Sequence, residues 1–186
     1  PNQIPASNGV MLKAMLDALP CEAVDLGIIP DDLATFTACL TDLTEHDIIV
    51  TTGGASVGDH DLVKPALEGA GGAIDFWKIA MRPGKPLISG KLGKALFLGL
   101  PGNPVSAFVT ATLFLLPLVR KMAGATTPLP RMTHATLSVD MPRTGGRDDY
   151  VRAVFEDGQV KPVHSQDSAV TYALSLANCL IRRSAG

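Results

Sequence analysis

The run Asp47-Ile48-Ile49-Val50-Thr51-Thr52-Gly53-Gly54-Ala55-Ser56-Val57-Gly58 carries the clearest structural signal in this chain of 186 residues. Its first half is short, apolar and β-branched without polar alternation, the pattern of a central parallel strand covered on both faces. Its second half is rich in glycine, which lets backbone N–H groups approach an anion closely. Asp59 and Asp61 follow, and then a helix over 62–69, whose N-terminus adds a favourable dipole. A strand that empties into a glycine loop and then a helix is the repeating unit of an α/β sheet, and ligands of such sheets sit beyond the carboxyl ends of the strands.

Upstream, Ser7 and Asn8 can cap a helix over 7–19 with Val10, Met11, Ala14, Met15 and Ala18 at helical spacing, and Pro20 ends it. Residues 23–29 read as a buried strand. Asp31-Asp32 opens a second helix with Leu33, Phe36, Leu40 and Leu43 on one face. Downstream, 73–80 and 94–100 read as strands. The second of these runs into Pro101-Gly102-Asn103-Pro104 and a long apolar helix. Strands alternating with helices imply right-handed crossovers, so the expected class is α/β: a three-layer α/β/α domain around a mainly parallel sheet. Near Gly124-Ala125-Thr126-Thr127-Pro128 the character changes to linker, then to short alternating runs at 133–139, 149–155, 159–163 and 178–181, with Asp157-Gly158 as a hairpin turn. A small all-β domain is therefore expected over 126–186, after an α/β domain over 1–125.

Composition narrows the function. Sixteen Lys and Arg against eighteen Asp and Glu leave a net charge of −2. With no basic stripe, that balance argues against non-specific nucleic-acid binding, which depends on phosphate neutralisation. Mean hydropathy is high at +0.24, but the longest apolar helix, over 105–119, is interrupted by Ser106, Thr110 and Thr112 and falls short of the ~20 residues of a membrane span. It reads as a buried helix, with no membrane role. The chain opens on Pro1 with no export-signal pattern and reads as part of something longer. Three widely spaced cysteines, Cys21, Cys39 and Cys179, suit free thiols in a reducing cytoplasm better than a disulfide frame or a zinc site.

Two loops are anion-competent. The first, around Thr52, Gly53, Gly54, Ser56 and Gly58, is neither a Walker loop nor a dinucleotide fingerprint, and it also reads as a plain strand-to-helix turn. In the second, Pro101-Gly102-Asn103-Pro104-Val105-Ser106, Asn103 takes the cap position and Pro104 the first position of the helix, which is also ordinary capping chemistry. Between them, Lys78, Arg82 and Lys85 lie in Phe76-Trp77-Lys78-Ile79-Ala80-Met81-Arg82-Pro83-Gly84-Lys85-Pro86 and suit a phosphate or oxyanion; solvated turn residues are the alternative. Asp31 and Asp61 can face the same cleft. There they would repel an anion unless a divalent cation such as Mg²⁺ lay between, and each is equally readable as a helix cap.

Taken in order and spacing, TTGGASVGDHD, FWKIAMRPGKP and LPGNPVSA resemble the molybdopterin molybdenumtransferase family, whose fold also occurs as the E domain of gephyrin. The resemblance runs from Ser7-Asn8 through Leu26-Gly27-Ile28-Ile29-Pro30-Asp31-Asp32 to Ser175-Leu176-Ala177-Asn178. It implies a molybdopterin-binding fold that inserts molybdate into adenylylated molybdopterin (molybdopterin-AMP) with hydrolysis of the adenylate. Mg²⁺ is the implied cofactor. A homodimer of the full-length protein is implied, with the upstream adenylyltransferase as a further partner. By motif position, Asp31 and Asp61 match acidic residues tied to activity and to Mg²⁺. Lys78, Arg82 and Lys85 match the basic positions that handle molybdate and phosphate, and Arg152 and Ser168 match an Arg and a Ser that complete the molybdate pocket. Family members often have Lys where this chain has Arg82. They also carry further N-terminal regions, a first strand upstream of the first helix, and a strand after Ile181-Arg182-Arg183. Two alternatives stay open: the adenylyltransferase itself, and a non-catalytic scaffold on the same fold.

Overall fold

The computed structural model describes residues 7–54, 62–167 and 171–186. A first sheet contains β1 (Ile48–Thr52), β2 (Ala73–Trp77), β4 (Ile88–Leu92) and β5 (Ala95–Leu100), in the order β1-β5-β4-β2. Side chains alternate across it, and both faces are buried. On one face Ile49, Ile88, Phe97 and Ala95 pack against Leu40 of α2 (Leu33–Thr41) and Ala66 and Leu67 of α3 (Val63–Gly69). On the other, Leu98 and Leu100 meet Leu12 of α1 (Ser7–Leu16) and Ala111, Leu115 and Val119 of the long helix after β5. Burial on both faces is why the strand sequences are continuously apolar, and it makes the three layers α/β/α.

The long helix begins as α4 (Pro104–Thr110), passes through a π-helical turn at Ala111–Leu115 and ends as α5 (Leu116–Met122). Pro117 accounts for the wide turn. It has no N–H, and its ring would collide with the carbonyl four residues back in a regular helix. Instead the Leu116 N–H bonds to the carbonyl of Ala111. By length and composition Pro104–Met122 is apolar enough to cross a membrane, but half of it is buried here as the core helix of this layer. Its two threonine hydroxyls bond within it: Thr110 Oγ1 donates to Ser106 O at 2.7 Å and Thr112 Oγ1 to Phe108 O at 2.8 Å.

Two sequence expectations need correction. The sheet is mixed and not mainly parallel: β1 and β5 are parallel, but β4 pairs antiparallel with both β5 and β2. The cause is a tight hairpin at Gly93-Lys94. Gly93 sits at φ +57, and an added Cβ would meet the Thr44 carbonyl at 2.9 Å. The turn joins β5 to β4, a short strand that the sequence reading, with strands at 73–80 and 94–100, leaves out. Residues 23–29 form no strand either. Asp25 Oδ1 accepts from the Gly27 N–H at 2.9 Å, and Gly27 takes φ +75. This Asx turn breaks the extended run, which lies with Val24 66% and Ile28 81% exposed. The Leu33 helix is capped as expected: Asp32 Oδ2 accepts from Thr35 N–H at 2.7 Å, and hydrogen bonds from Thr35 hold the Asp32 carboxylate below its ordinary pKa.

The second sheet is organised around β7 (Asp148–Glu156). Its start pairs in parallel with β3 (Met81–Arg82), its middle antiparallel with β9 (Cys179–Arg183), and its end antiparallel with β8 (Gln159–Pro162), beyond which lies β6 (Thr136–Leu137). A short helix, α6 (Tyr172–Ser175), precedes β9. Asp157 (φ 48) and Gly158 (φ 77) form the two-residue turn of the β7–β8 hairpin. Both are left-handed, as such turns require.

The Gly93 turn is testable. Gly93→Ala should lower stability by about 1–3 kcal/mol through strain and the Thr44 contact, read as a reduced urea midpoint with an unchanged slope. An unchanged midpoint would contradict the tight hairpin.

Candidate functional site

The two glycine-rich turns meet at the carboxyl ends of β1 and β5. The Gly53 N–H donates to Leu100 O at 3.1 Å, extending the β1–β5 pairing by one residue. Gly53 and Gly54 then turn with φ +86 and +67. A Cβ on Gly102 would lie 3.1 Å from Gly53 Cα, so the turns touch backbone to backbone. Asn103 caps α4, its Oδ1 accepting from Val105 N–H at 3.2 Å and Ser106 N–H at 3.5 Å. Pro104 takes the first helical turn. Gly53, Gly54, Pro101, Gly102, Asn103, Ser106 and Pro86 together line a cavity of about 320 Å³. The start of the long helix faces it, as a phosphate site needs.

A second, larger cavity of about 510 Å³ adjoins it through the shared Pro86 and Ser106. It lies between the sheets, because the loop after β2 crosses from one to the other. The loop is pinned at its base by Lys78 N–H to Leu87 O (2.9 Å) and Ile79 N–H to Lys85 O (3.1 Å). Gly84, at φ +112, lies against α4, where a Cβ would meet Thr110 Cγ2 at 2.5 Å. The tip holds the cis Arg82–Pro83 bond and enters the second sheet as β3. Among the described residues, five basic ones line the cavity, Arg82, Lys85, Arg147, Arg152 and Arg183, against one acidic residue, Asp149. In a chain of net charge −2, this local excess makes a field for an anion.

The basic groups differ in setting. Arg82 donates from its terminal nitrogen to Asp149 Oδ2 at 3.0 Å, its own side chain mostly exposed and the carboxylate buried. Arg152 is 1% exposed, and among the described residues its Nη2 makes two long contacts, to Ser165 O and to Asp167 O, each 3.4 Å. Its Nε has no partner. Burial pushes the Arg152 guanidinium below its ordinary pKa, and the Asp167 carboxylate pulls it partly back. A guanidinium carries five N–H donors, so this one is short of acceptors in a place where charge is costly.

The structure brings Gly53, Gly54, Pro101, Gly102, Asn103 and Ser106 to the first cavity and Arg82, Lys85 and Arg152 to the second, with Ser106 in both. Thr52, Pro104 and Asp31 line neither. Asp31 is exposed beside the α2 cap. Lys78 is also turned elsewhere: it takes φ +72, and its Nζ lies 4.3 Å from the centre of the Trp77 ring, a cation–π contact. Ser56, Gly58, Asp61 and Ser168 lie outside the described residues. Among the described residues, no group of three or more His, Cys, Asp or Glu is placed to hold a metal ion.

Several contributors escape sequence reasoning. Asn8 reads as a helix cap, but its Nδ2 donates to Gly102 O at 2.9 Å, tying α1 to the second turn. Asp149, Arg147, Tyr150 and Gln166 reach the second cavity from β7 and its flanking loops. Arg183 arrives on β9 and donates to the Pro142 carbonyl. The only signal was a cluster of charges, Arg147-Asp148-Asp149, beside a Gly-Gly turn, and charges on a short strand ordinarily mean solvent.

Fold and cavities define an α/β domain whose glycine-rich turns line a cavity with the geometry for an anionic ligand, closed on one side by a β domain. The family described as "Probable molybdopterin binding domain" matches residues 1–121, and "MoeA C-terminal region (domain IV)" matches 134–186. The chain belongs to the molybdopterin-binding domain family, followed by a MoeA C-terminal region. It is 40% identical over 186 residues to a molybdopterin molybdenumtransferase of Haemophilus influenzae, covering 96% of this chain and 46% of that protein. It is 34% identical over 181 residues to one of Staphylococcus aureus, covering 94% and 43%. The chain thus spans under half the length of these relatives. Among solved structures, a molybdopterin biosynthesis MoeA protein from Pyrococcus horikoshii matches with TM-score 0.77 at 23% identity, over 98% of this chain and 43% of that one. A second structure of a protein from that organism matches with TM-score 0.75 at 26% identity, over 98% and 44%.

Arg82→Ala leaves the buried Asp149 carboxylate without its ion pair. Because Arg82 itself is mostly exposed, the loss should be modest, about 1 kcal/mol, and Arg82→Lys should recover most of it. Equal urea midpoints for wild type and Arg82→Ala would contradict a holding role for the pair.

Proposed function

We propose that the intact protein carrying this chain transfers molybdenum from molybdate to adenylylated molybdopterin, hydrolysing the adenylate and giving molybdenum cofactor. The observation that carries the proposal is the continuity of the two cavities: a glycine-turn and helix-start site for phosphate opens directly into a cleft lined by five basic residues. A phosphorylated pterin on the turns would present its other end to an oxyanion held by Lys85, Arg82 and Arg152. The names of the relatives and the match of residues 134–186 to a MoeA C-terminal region support the molybdenum-inserting step over the preceding adenylylation.

The protein's part is positioning and electrostatics. Backbone N–H groups at Gly53, Gly54 and the start of α4 hold phosphate. The basic cleft concentrates molybdate beside the pterin, so that a two-substrate encounter becomes a local one. Water then breaks the phosphoanhydride bond and frees the adenylate. Asp31 and Asp61 would hold Mg²⁺ in the same proposal, where it would offset the charge of the substrate phosphates, since Mg²⁺ keeps several waters and takes few protein ligands. A homodimer, a cytoplasmic location and hand-over of substrate by the upstream adenylyltransferase belong to the proposal too. Lys78 enters as a cation released from Trp77 toward bound phosphate, and Ser168 as a hydroxyl donor to the oxyanion.

Release of AMP from adenylylated molybdopterin by the intact protein should require molybdate and should be lost in Asp61→Ala with the fold retained by circular dichroism. Normal turnover by that variant, or release independent of molybdate, would sink the assignment.

A further inference from the structure

We propose that Gln166 is a positioning residue for oxyanion binding, its side-chain amide fixing the Arg152 backbone so that the buried guanidinium faces the inter-sheet cleft. The inference rests on the reading of that cleft as an oxyanion site and deepens it.

The need for such a residue follows from the strand pairing. On its β8 side, β7 pairs regularly from Glu156↔Gln159 to Ala153↔Pro162, and there the ladder stops. Val163 N–H reaches Arg152 O at 2.9 Å as the last backbone bond, and the reciprocal bond from Arg152 N–H to Val163 O is not made, because Val163 O accepts from Gln166 Nε2. Arg152 N–H is left with no strand partner on that side. Gln166 supplies it: Oε1 accepts from Arg152 N–H at 3.1 Å, while Nε2 donates to Arg152 O and to Val163 O, both at 2.9 Å. One side-chain amide is thus inserted between Arg152 and Val163 and completes the ladder where the backbone pair is only half made. It does so at the residue whose side chain carries the buried charge. The same device recurs three residues along β7, on its β9 side, where Asn178 accepts from Phe155 N–H at 2.8 Å and donates to Phe155 O at 3.0 Å.

The segment that carries Gln166 also holds the far end of Arg152. Ser165 O and Asp167 O accept from Nη2, both at 3.4 Å. Segment 165–167 therefore grips Arg152 at backbone and guanidinium together, and Nε, buried and partnerless, is left for a ligand. Only an amide serves here. A carboxylate would retain the bond from Arg152 N–H but would face two carbonyl oxygens, and an aliphatic side chain would lose all three bonds.

The test is a double-mutant cycle on the intact protein with molybdate as the probe, binding measured by titration calorimetry and folding by thermal melting. Gln166→Leu should weaken molybdate binding about tenfold or more, as loss of an outer partner typically does. Gln166→Glu, which keeps one of the three bonds, should weaken it as well and provides a second variant should the first not fold. In the double variant Gln166→Leu/Arg152→Ala, binding should match Arg152→Ala alone within about twofold, because Gln166 acts through Arg152. Multiplying effects in the double variant, or wild-type binding by folded Gln166→Leu, would overturn the positioning role. Wild-type binding by Arg152→Ala is a separate outcome and would overturn the oxyanion site itself.

Discussion

The two-residue strand Met81–Arg82, paired in parallel with Asp148 and Asp149 at the start of β7, is the connection on which the arrangement of this protein depends. It is chemically slight: Asp148 N–H donates to Ala80 O at 2.9 Å, and the Arg82–Asp149 ion pair closes over it. Yet it makes a loop of the α/β domain an edge of the second sheet. Without it, the basic residues of β7 and β9 would belong to a separate body. With it, they face Lys85 and Ser106 across one cleft.

A division of labour follows. The first sheet offers backbone: two turns in which glycine is required by positive φ or by a contact near 3 Å, beside a helix start. The second offers cations on strands, where side-chain direction is set by the pleat. In the proposed function, neutral donors close to a phosphate and charged donors around a freer oxyanion are physically distinct tasks, and they fall to different layers. The cost appears at Arg152, a guanidinium held nearly out of solvent with few acceptors. Such a group is tolerated in native structures where something else compensates, and bound anion is the natural compensation.

What could be read beforehand tracks how local the determinant is. The β1 strand, the glycine turn after it, the Asn103 cap and the Asp157-Gly158 hairpin were all legible, because each is specified by residues within a few positions of one another. Residues 23–29 misled for the same reason: the apolar pattern was present, but the Asx turn at Asp25 overrode it. The mixed sheet was missed because a hairpin at Gly93-Lys94 looks, on composition, like one strand with a glycine before it. Arg152 was suggested by family resemblance alone. Asp149 carries no local signal, since its meaning comes from pairing with β3, more than sixty positions away; Arg147 lies just before that pairing, and Arg183 reaches the cleft through the β7–β9 pairing. Lys78 illustrates the converse: its place in the motif was plain, but its stacking on Trp77 depends on a left-handed backbone that no sequence pattern announces.

The central claim is that one cleft between the two sheets holds an oxyanion beside the phosphate turns. It is met most directly by a crystal of the intact protein soaked in molybdate, with diffraction recorded at the molybdenum absorption edge. The account predicts an anomalous peak within hydrogen-bonding distance of the Arg152 guanidinium, with Lys85 and Arg82 around it and Ser106 on the pterin side. A molybdenum peak elsewhere on the protein, with this cleft empty at saturating molybdate, would contradict it.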